Sequence, residues 1–279
     1  LAHRGAPIQV SYLGFPLTRG ASYVDYVIGD RFTTPPESQP HYLEQFVRLP
    51  DTYICGDSKR AEMLSPPLRS VAGLPETGFV FCCFNQSYKI TADVYEVWLR
   101  LLRRVPGSVL WLRCDIAAAQ RNLRTGALSA GVDPNRIIFA PRVSMAAHLA
   151  RHGVADLFLD TPAYNAHTTA IDTLWAGVPI LTCPGHSFVG RVAQSIMHAV
   201  GLPELATATL PEYEDLAYAL ATDPIRLKAL RARVADARRG SALFDTARTT
   251  RHIEAAYRTM VEIARAGEKP RPFTVPPLS

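Results

Sequence analysis

Four side chains with complementary chemistry gather at the start of one segment: His167, Thr168, Thr169 and, four positions after Thr168, Asp172. An apolar run, ADLFLD (155–160), leads into the segment, and a second one, PILTC (179–183), leads out. It therefore reads as a loop and a helix set between two strands. The first amides of a helix lack intrahelical partners and lie at the positive end of its dipole. Two hydroxyls and an imidazole added there make a donor set suited to phosphate oxygens. Asp172 falls about 6 Å further along the axis, where a carboxylate suits the two hydroxyls of a ribose. The same pattern also fits Thr168 as a plain N-cap with Asp172 merely favourable to the dipole.

Two more sets occupy the ends of other strand-like runs. In FNQSYKI (84–90), Lys89 offers a fixed cation able to neutralise charge on a leaving phosphate, and Gln86 is a turn residue or a nucleotide donor. In RIIFAPRVSMAAHLARHG, His148 and Arg151 lie three apart on one helix face, where a ring and a planar cation suit a nucleobase. Each set alone reads more readily as solvated surface. At successive strand ends of one sheet they describe a nucleotide site. The chain has no G-x-G-x-x-G and no Walker lysine motif, which speaks against dinucleotide oxidoreductases and P-loop enzymes.

The elements that must position these residues follow from the periodicity. From Thr77 onward, continuous apolar runs (GFVFCCF, SVLWLRC, RIIFAP, ADLFLD, PILTC) alternate with helix-patterned segments. That alternation predicts a parallel sheet covered on both faces, hence an α/β, Rossmann-like, doubly wound unit. The first 75 residues are proline-rich and helix-poor, with IQVSYLGFP, DYVIGD and DTYICGD as strand ends. They read as the closing portion of another α/β half. The Pro- and Gly-rich stretch 63–78 is the natural boundary, dividing the chain into 1–75 and 76–279.

Composition sets outer limits. With 279 residues, 48% hydrophobic and 20% charged, the chain can bury a sizeable core and is not disordered. No apolar run is long enough for a transmembrane helix. Five cysteines without a C-x-x-C pair read as reduced core residues of a cytoplasmic protein rather than as a disulfide or metal framework. The net charge of +5 is local: from Pro224 to Pro272 there are 12 Lys/Arg against 5 Asp/Glu. Few aromatics interleave with these arginines, so a solvated helix face is expected there and not a nucleic-acid surface. The chain begins at Leu1 without a signal-peptide pattern, and reads as a piece of something longer.

With these residues in view, APIQVSYLGFPLTRG, FCCFNQSYKI, RVPGSVLWL, NRIIFAPRV, LDTPAYNAHTTAIDTLWAGVPILTCPG and LPEYEDLAYALATD resemble the protein O-linked N-acetylglucosamine transferases over nearly all of the chain. The resemblance implies a GT-B fold, two Rossmann-like halves facing across a cleft, with the first only partly present here. It implies transfer of N-acetylglucosamine from its uridine diphosphate (UDP) donor to protein serine or threonine hydroxyls, with inversion and without a metal or other cofactor. By resemblance, His167, Thr168 and Thr169 hold the diphosphate, Asp172 the ribose, and Lys89 the leaving pyrophosphate. Gln86 contacts the nucleotide, His148 and Arg151 the uracil, and the backbone near Arg142 and Val143 the base. Gly14 and Pro16 line the sugar end.

The chain departs from the family at Met145, where the animal enzymes have a lysine, and at Tyr164, where a small residue is usual. Without the animal interdomain insert, it is similar to the bacterial relatives. The family's tetratricopeptide repeats and acceptor-side histidines, the proposed base among them, fall upstream of Leu1. A non-protein acceptor, or a UDP-sugar-binding regulatory module without turnover, remains open at this stage.

Overall fold

The computed structural model describes residues 1–60 and 64–277. The first three strands are β1 (Val10–Ser11), β2 (Tyr26–Asp30) and β3 (Gln45–Leu49), all parallel. β2 is fully buried, as expected for DYVIGD. DTYICGD is not a strand: the third strand is the preceding QFVRL, and Pro50, which has no amide proton to extend the ladder, follows it directly. Residues 51–57 instead form the loop that meets the second half.

That half alternates strand and helix: β4 (Val80–Cys83), α1 (Ala92–Arg104), β5 (Val109–Arg113), α2 (Ala117–Ser129), β6 (Ile137–Ala140) and α3 (Met145–His152). It continues through β7 (Leu157–Leu159), α4 (Thr168–Trp175) and β8 (Ile180–Leu181). The five strands are parallel in the order β6-β5-β4-β7-β8, with Phe81 opposite Leu157 and Cys82 opposite Phe158. Burial of every residue in VFCC and LFL explains their unbroken apolar character, since helices cover both faces. α1 buries Val94, Val97, Trp98, Leu101 and Leu102 along one side, the 3.6-residue stripe of an amphipathic helix. The strand order reverses between β4 and β7, the place where doubly wound sheets leave a crevice at their carboxyl ends.

Four helices follow: α5 (Val192–Ala199), α6 (Leu210–Thr222), α7 (Pro224–Gly240) and α8 (Thr246–Arg265). α6 packs on α1, where Trp98 Nε1 donates to Tyr213 Oη at 3.1 Å. Most basic residues of the last helices are exposed, as expected of a solvated face, and three arginines are tied down. Arg231 donates to the carbonyl of Ala155, Arg238 to that of Trp175, and Arg248 to Asp51.

The last helix and strand correct the division at residue 75. α8 lies on β3, and β9 (Phe273–Thr274) pairs with β3 in parallel, giving the first sheet the order β1-β2-β3-β9. Ala256, Met260 and Val275 join Tyr26, Ile28, Val47 and Leu49 in a core separate from the larger one. The chain thus crosses back because the first sheet has an apolar face that α8 and Val275 cover. Of the expected boundary stretch, Met63 lies outside the described residues. From Leu64 to Gly78 there is neither helix nor strand.

The halves meet at buried polar groups. Asp30, fully buried, accepts from the amides of Phe32, Thr33 and Tyr53 and from Ser195 Oγ at 2.6 Å. All five cysteines are free, four of them buried. Among the described residues no helix is long and apolar enough to cross a membrane.

Candidate functional site

The site begins at the switch between β4 and β7. Asn85, just after β4, donates through Nδ2 to Asp160 Oδ1 (3.0 Å) and Thr161 Oγ1 (2.7 Å), just after β7. Asp160 also accepts from the Ala166 amide and Thr182 Oγ1, both at 2.7 Å. Complete burial pushes its pKa up to about 6 against these hydrogen bonds. This carboxylate ties the loop 160–166 to two strand ends and so fixes where α4 begins.

α4 starts at Thr168, with the His167 carbonyl accepting from Ala170 (3.0 Å) and Ile171 (3.2 Å). No side chain caps it, so Thr168 is not the N-cap that the local pattern allowed. The amides of Thr168 and Thr169 donate to nothing among the described residues. They are the unpaired donors a helix entrance presents to an anion. His167 is placed differently from its expected part as a third donor into the site. Its Nε2 lies 3.2 Å from the Val189 carbonyl, and burial lowers its pKa to about 4, so the ring is neutral. At the far end, Gly177 takes φ +79°, and the Val178 amide donates to the Thr173 carbonyl at 3.1 Å. That is a left-handed glycine stop, and Pro179 follows it.

Lys89 ends a short 3₁₀ turn, Ser87–Lys89, beyond β4. Its Nζ donates to the Asn165 carbonyl at 3.0 Å and lies 3.6 Å from the centre of the Tyr164 ring. Burial pulls its pKa below the ordinary lysine value, with the charge of Asp160 opposing. Tyr164, standing where the family usually has a small residue, thus roofs the lysine. The cation stands beside the loop that delivers α4.

A cavity of about 380 Å³ opens in front of α4. Thr168, Thr169 and Asp172 line one side; Val143, His148 and Arg151 line another. Ser144 caps α3 through the Ala147 amide, which sets the helix bearing His148 and Arg151. Arg151 Nη1 donates to the Pro141 carbonyl at 2.7 Å, and its guanidinium lies 4.6 Å from the Phe84 ring centre. Burial, then the neighbouring charge of Arg113, draws Arg151 down to about 10. Burial, with the charges of Arg151 and Arg113, lowers His148 to about 4 and keeps it neutral.

Arg113, Arg142 and Arg151 against the single acid Asp172 give the cavity a positive balance suited to an anionic ligand. Met145, 65% exposed, also lines it. Among the described residues no three His, Cys, Asp or Glu side chains come together as metal ligands.

The fold does not bring every expected residue to this cavity. Gln86 is exposed ahead of the turn holding Lys89. Gly14 and Pro16 lie in the loop after β1, where Leu13 has φ +62° and Tyr12 Oη reaches the Tyr53 carbonyl at 3.0 Å. Neither they nor Lys89 and His167 are among the cavity's lining residues. Sequence reasoning missed Phe84, Arg113 and Arg60. Arg113 had a signal, being the last residue of an apolar strand at the ligand edge of the sheet. Arg60, whose Nη1 donates to Asp172 Oδ1 at 2.5 Å across 112 residues of sequence, had none.

Known proteins carry the same arrangement of chain. The family described as Glycosyl transferase family 41 matches residues 1–66 and 62–253. Over 280 aligned positions the chain is 41% identical to the "Probable UDP-N-acetylglucosamine--peptide N-acetylglucosaminyltransferase SEC" of Arabidopsis thaliana, covering 98% of this chain and 29% of that protein. It is 29% identical over 355 positions to the "UDP-N-acetylglucosamine--peptide N-acetylglucosaminyltransferase" of Caenorhabditis elegans, covering 88% of this chain and 31% of that one.

The structure of a Thermobaculum terrenum O-GlcNAc transferase mutant superposes with a TM-score of 0.85 at 29% identity, over 95% of this chain and 50% of that one. A sucrose-phosphate synthase from Thermosynechococcus elongatus, with TM-score 0.59 and 15% identity over 86% of this chain and 59% of that one, shares the fold alone. The chain spans less than a third of the length of these two curated relatives and half of the O-GlcNAc transferase structure. The fold is α/β of the GT-B type, as the motifs led one to expect. By the extent of its match and its identity to these relatives, the chain belongs to glycosyl transferase family 41.

Proposed function

We propose that the protein containing this chain transfers N-acetylglucosamine from UDP-N-acetylglucosamine to serine or threonine hydroxyls of proteins, with inversion and without a metal ion. One observation carries the reading: two unpaired amides at the start of α4 share a cavity with Asp172, while Lys89 stands beside the loop before them. Diphosphate oxygens take the helix entrance and Asp172 accepts from the ribose. Val143, His148 and Arg151 face the base. As the acceptor oxygen attacks the anomeric carbon, negative charge builds on the departing diphosphate. The helix entrance and Lys89 are preorganised to receive it. Gln86 is an outer nucleotide contact, and Gly14 and Pro16 close the sugar end when donor is bound. The protein works in the cytoplasm, with the remainder of its own chain completing the acceptor side.

The test is transfer of labelled sugar to a peptide by the full-length protein, paired with calorimetry of UDP. Asp172→Ala should weaken UDP binding at least tenfold, since each charge-assisted bond to a ribose hydroxyl contributes about 1.5–3 kcal/mol. Transfer should continue in chelator. Unchanged UDP affinity in Asp172→Ala, or transfer lost with chelator and restored by magnesium, would contradict the reading.

A further inference from the structure

The first half also reaches the carboxylate proposed to hold the ribose. Arg60 Nη1 lies 2.5 Å from Asp172 Oδ1, with the two side chains 21% and 11% exposed. Asp172 lines the cavity, and Arg60 is not among its lining residues. Arg60's direction of approach is fixed by Trp175, three residues further along α4, whose ring centre lies 5.9 Å from the guanidinium. Arg238 sits 5.3 Å from the same ring and donates to the Trp175 carbonyl, while Phe244 packs against it at 5.3 Å.

The backbone leading to Arg60 is also held. The Gly56 amide donates to the Leu243 carbonyl at 2.8 Å, and Ser58 Oγ pairs with Thr246 Oγ1 at 2.8 Å. A Cβ at Gly56 would stand 2.7 Å from the Phe244 ring and 2.8 Å from Ile171, so only glycine allows this approach to α4.

We infer that Arg60 is a positioning residue for nucleotide binding: it holds the Asp172 carboxylate in one orientation, so that a residue of the first half completes the site in the second. The inference rests on the ribose assignment of Asp172. A carboxylate offers about four acceptor positions. Arg60 takes one on Oδ1, and Oδ2 has no partner among the described residues, which leaves it open to the ribose. A side chain already fixed in its binding rotamer loses less freedom when the ligand arrives. Nucleotide affinity is thereby linked to the arrangement of the two halves, and by reciprocity a bound nucleotide favours the arrangement that seats Arg60.

Calorimetry on the full-length protein, with UDP and 2′,3′-dideoxy-UDP as probes, tests this. Arg60→Gln should weaken UDP by up to about tenfold, the ordering cost of one side chain that binding must then meet, and leave dideoxy-UDP binding as in wild type. Arg60→Lys should recover part of the loss, and Arg60→Gln should add nothing to Asp172→Asn. Equal weakening of both probes would mean that Arg60 only supports the fold, and tighter UDP binding would mean that it competes with the ribose. Either overturns the inference. Wild-type protein binding both probes equally would instead bring down the ribose assignment, and the inference with it.

Discussion

Lys89 carries a charge that the fold has partly removed from water. Its ammonium is held by one carbonyl and covered by the Tyr164 ring, and burial lowers its pKa. A cation in such a place is worth more to a charge that appears during reaction than to one present from the start. Lys89→Met should therefore cut turnover of the full-length protein by about a hundredfold or more while changing donor affinity far less. Steady-state kinetics beside UDP calorimetry separate the two. Equal turnover in mutant and wild type would remove Lys89 from the chemistry. The same residue shows what one-dimensional reading allows. A lysine after an apolar strand was visible as a candidate, but its roof was not, because a tyrosine 75 positions later comes over it only when β4 and β7 lie side by side.

At the scale of elements, α3 and α4 are held by neutral histidines. His152 is buried, with Nδ1 2.7 Å from the His148 carbonyl, and burial followed by the effect of His148 lowers it to about 3. His167 is lowered to about 4 by burial. In the unfolded chain both return to the ordinary value of 6.5. Below that pH the unfolded state binds more protons than the folded one, so stability present at neutral pH is lost as pH falls toward about 4. The limiting slope is about 1.4 kcal/mol per pH unit for each histidine. Asp160 acts in the opposite sense: raised to about 6 from 3.8, it adds stability as pH falls through that interval. With His148, likewise lowered to about 4, the histidines outweigh it. Urea unfolding at pH 7 and pH 5 should show the acid loss, and His152→Gln should flatten it by about one histidine's share. A variant with the wild-type slope would show that His152 is not the group responsible. The helices themselves were legible from their periodic pattern. The neutral state of these rings was not, because it depends on what buries them.

Across the whole molecule, the two sheets are joined through Asp30 rather than through a broad apolar seam alone. One fully buried carboxylate accepts from three amides and from Ser195 of α5, and Ser195 in turn meets Thr52 at 2.8 Å. Removing it leaves those donors buried without an acceptor, which costs about 3 kcal/mol or more. Asp30→Ala should lower the unfolding midpoint and split one transition into two as the halves lose their joint. A single, unshifted transition would mean that the surrounding apolar contacts, such as Tyr53 against Phe188 at 4.9 Å, hold the halves by themselves.

The sequence by itself determined the parallel, doubly wound character of the second half, because strands buried on both faces must be apolar throughout and helices must show a stripe. It also placed the chemistry at strand ends and helix starts, since loops between such elements are short and ligands gather beyond the carboxyl edge. Tertiary structure alone decided which of those ends face one another. Strand order puts β4 beside β7 although α1 to α3 lie between them in the chain, and so brings Asn85 to Asp160. It returned α8 and β9 to the first sheet, and it set Arg60 on Asp172. Contacts of that kind leave no periodicity behind, for a salt bridge across 112 residues asks only that one arginine arrive where one carboxylate already stands.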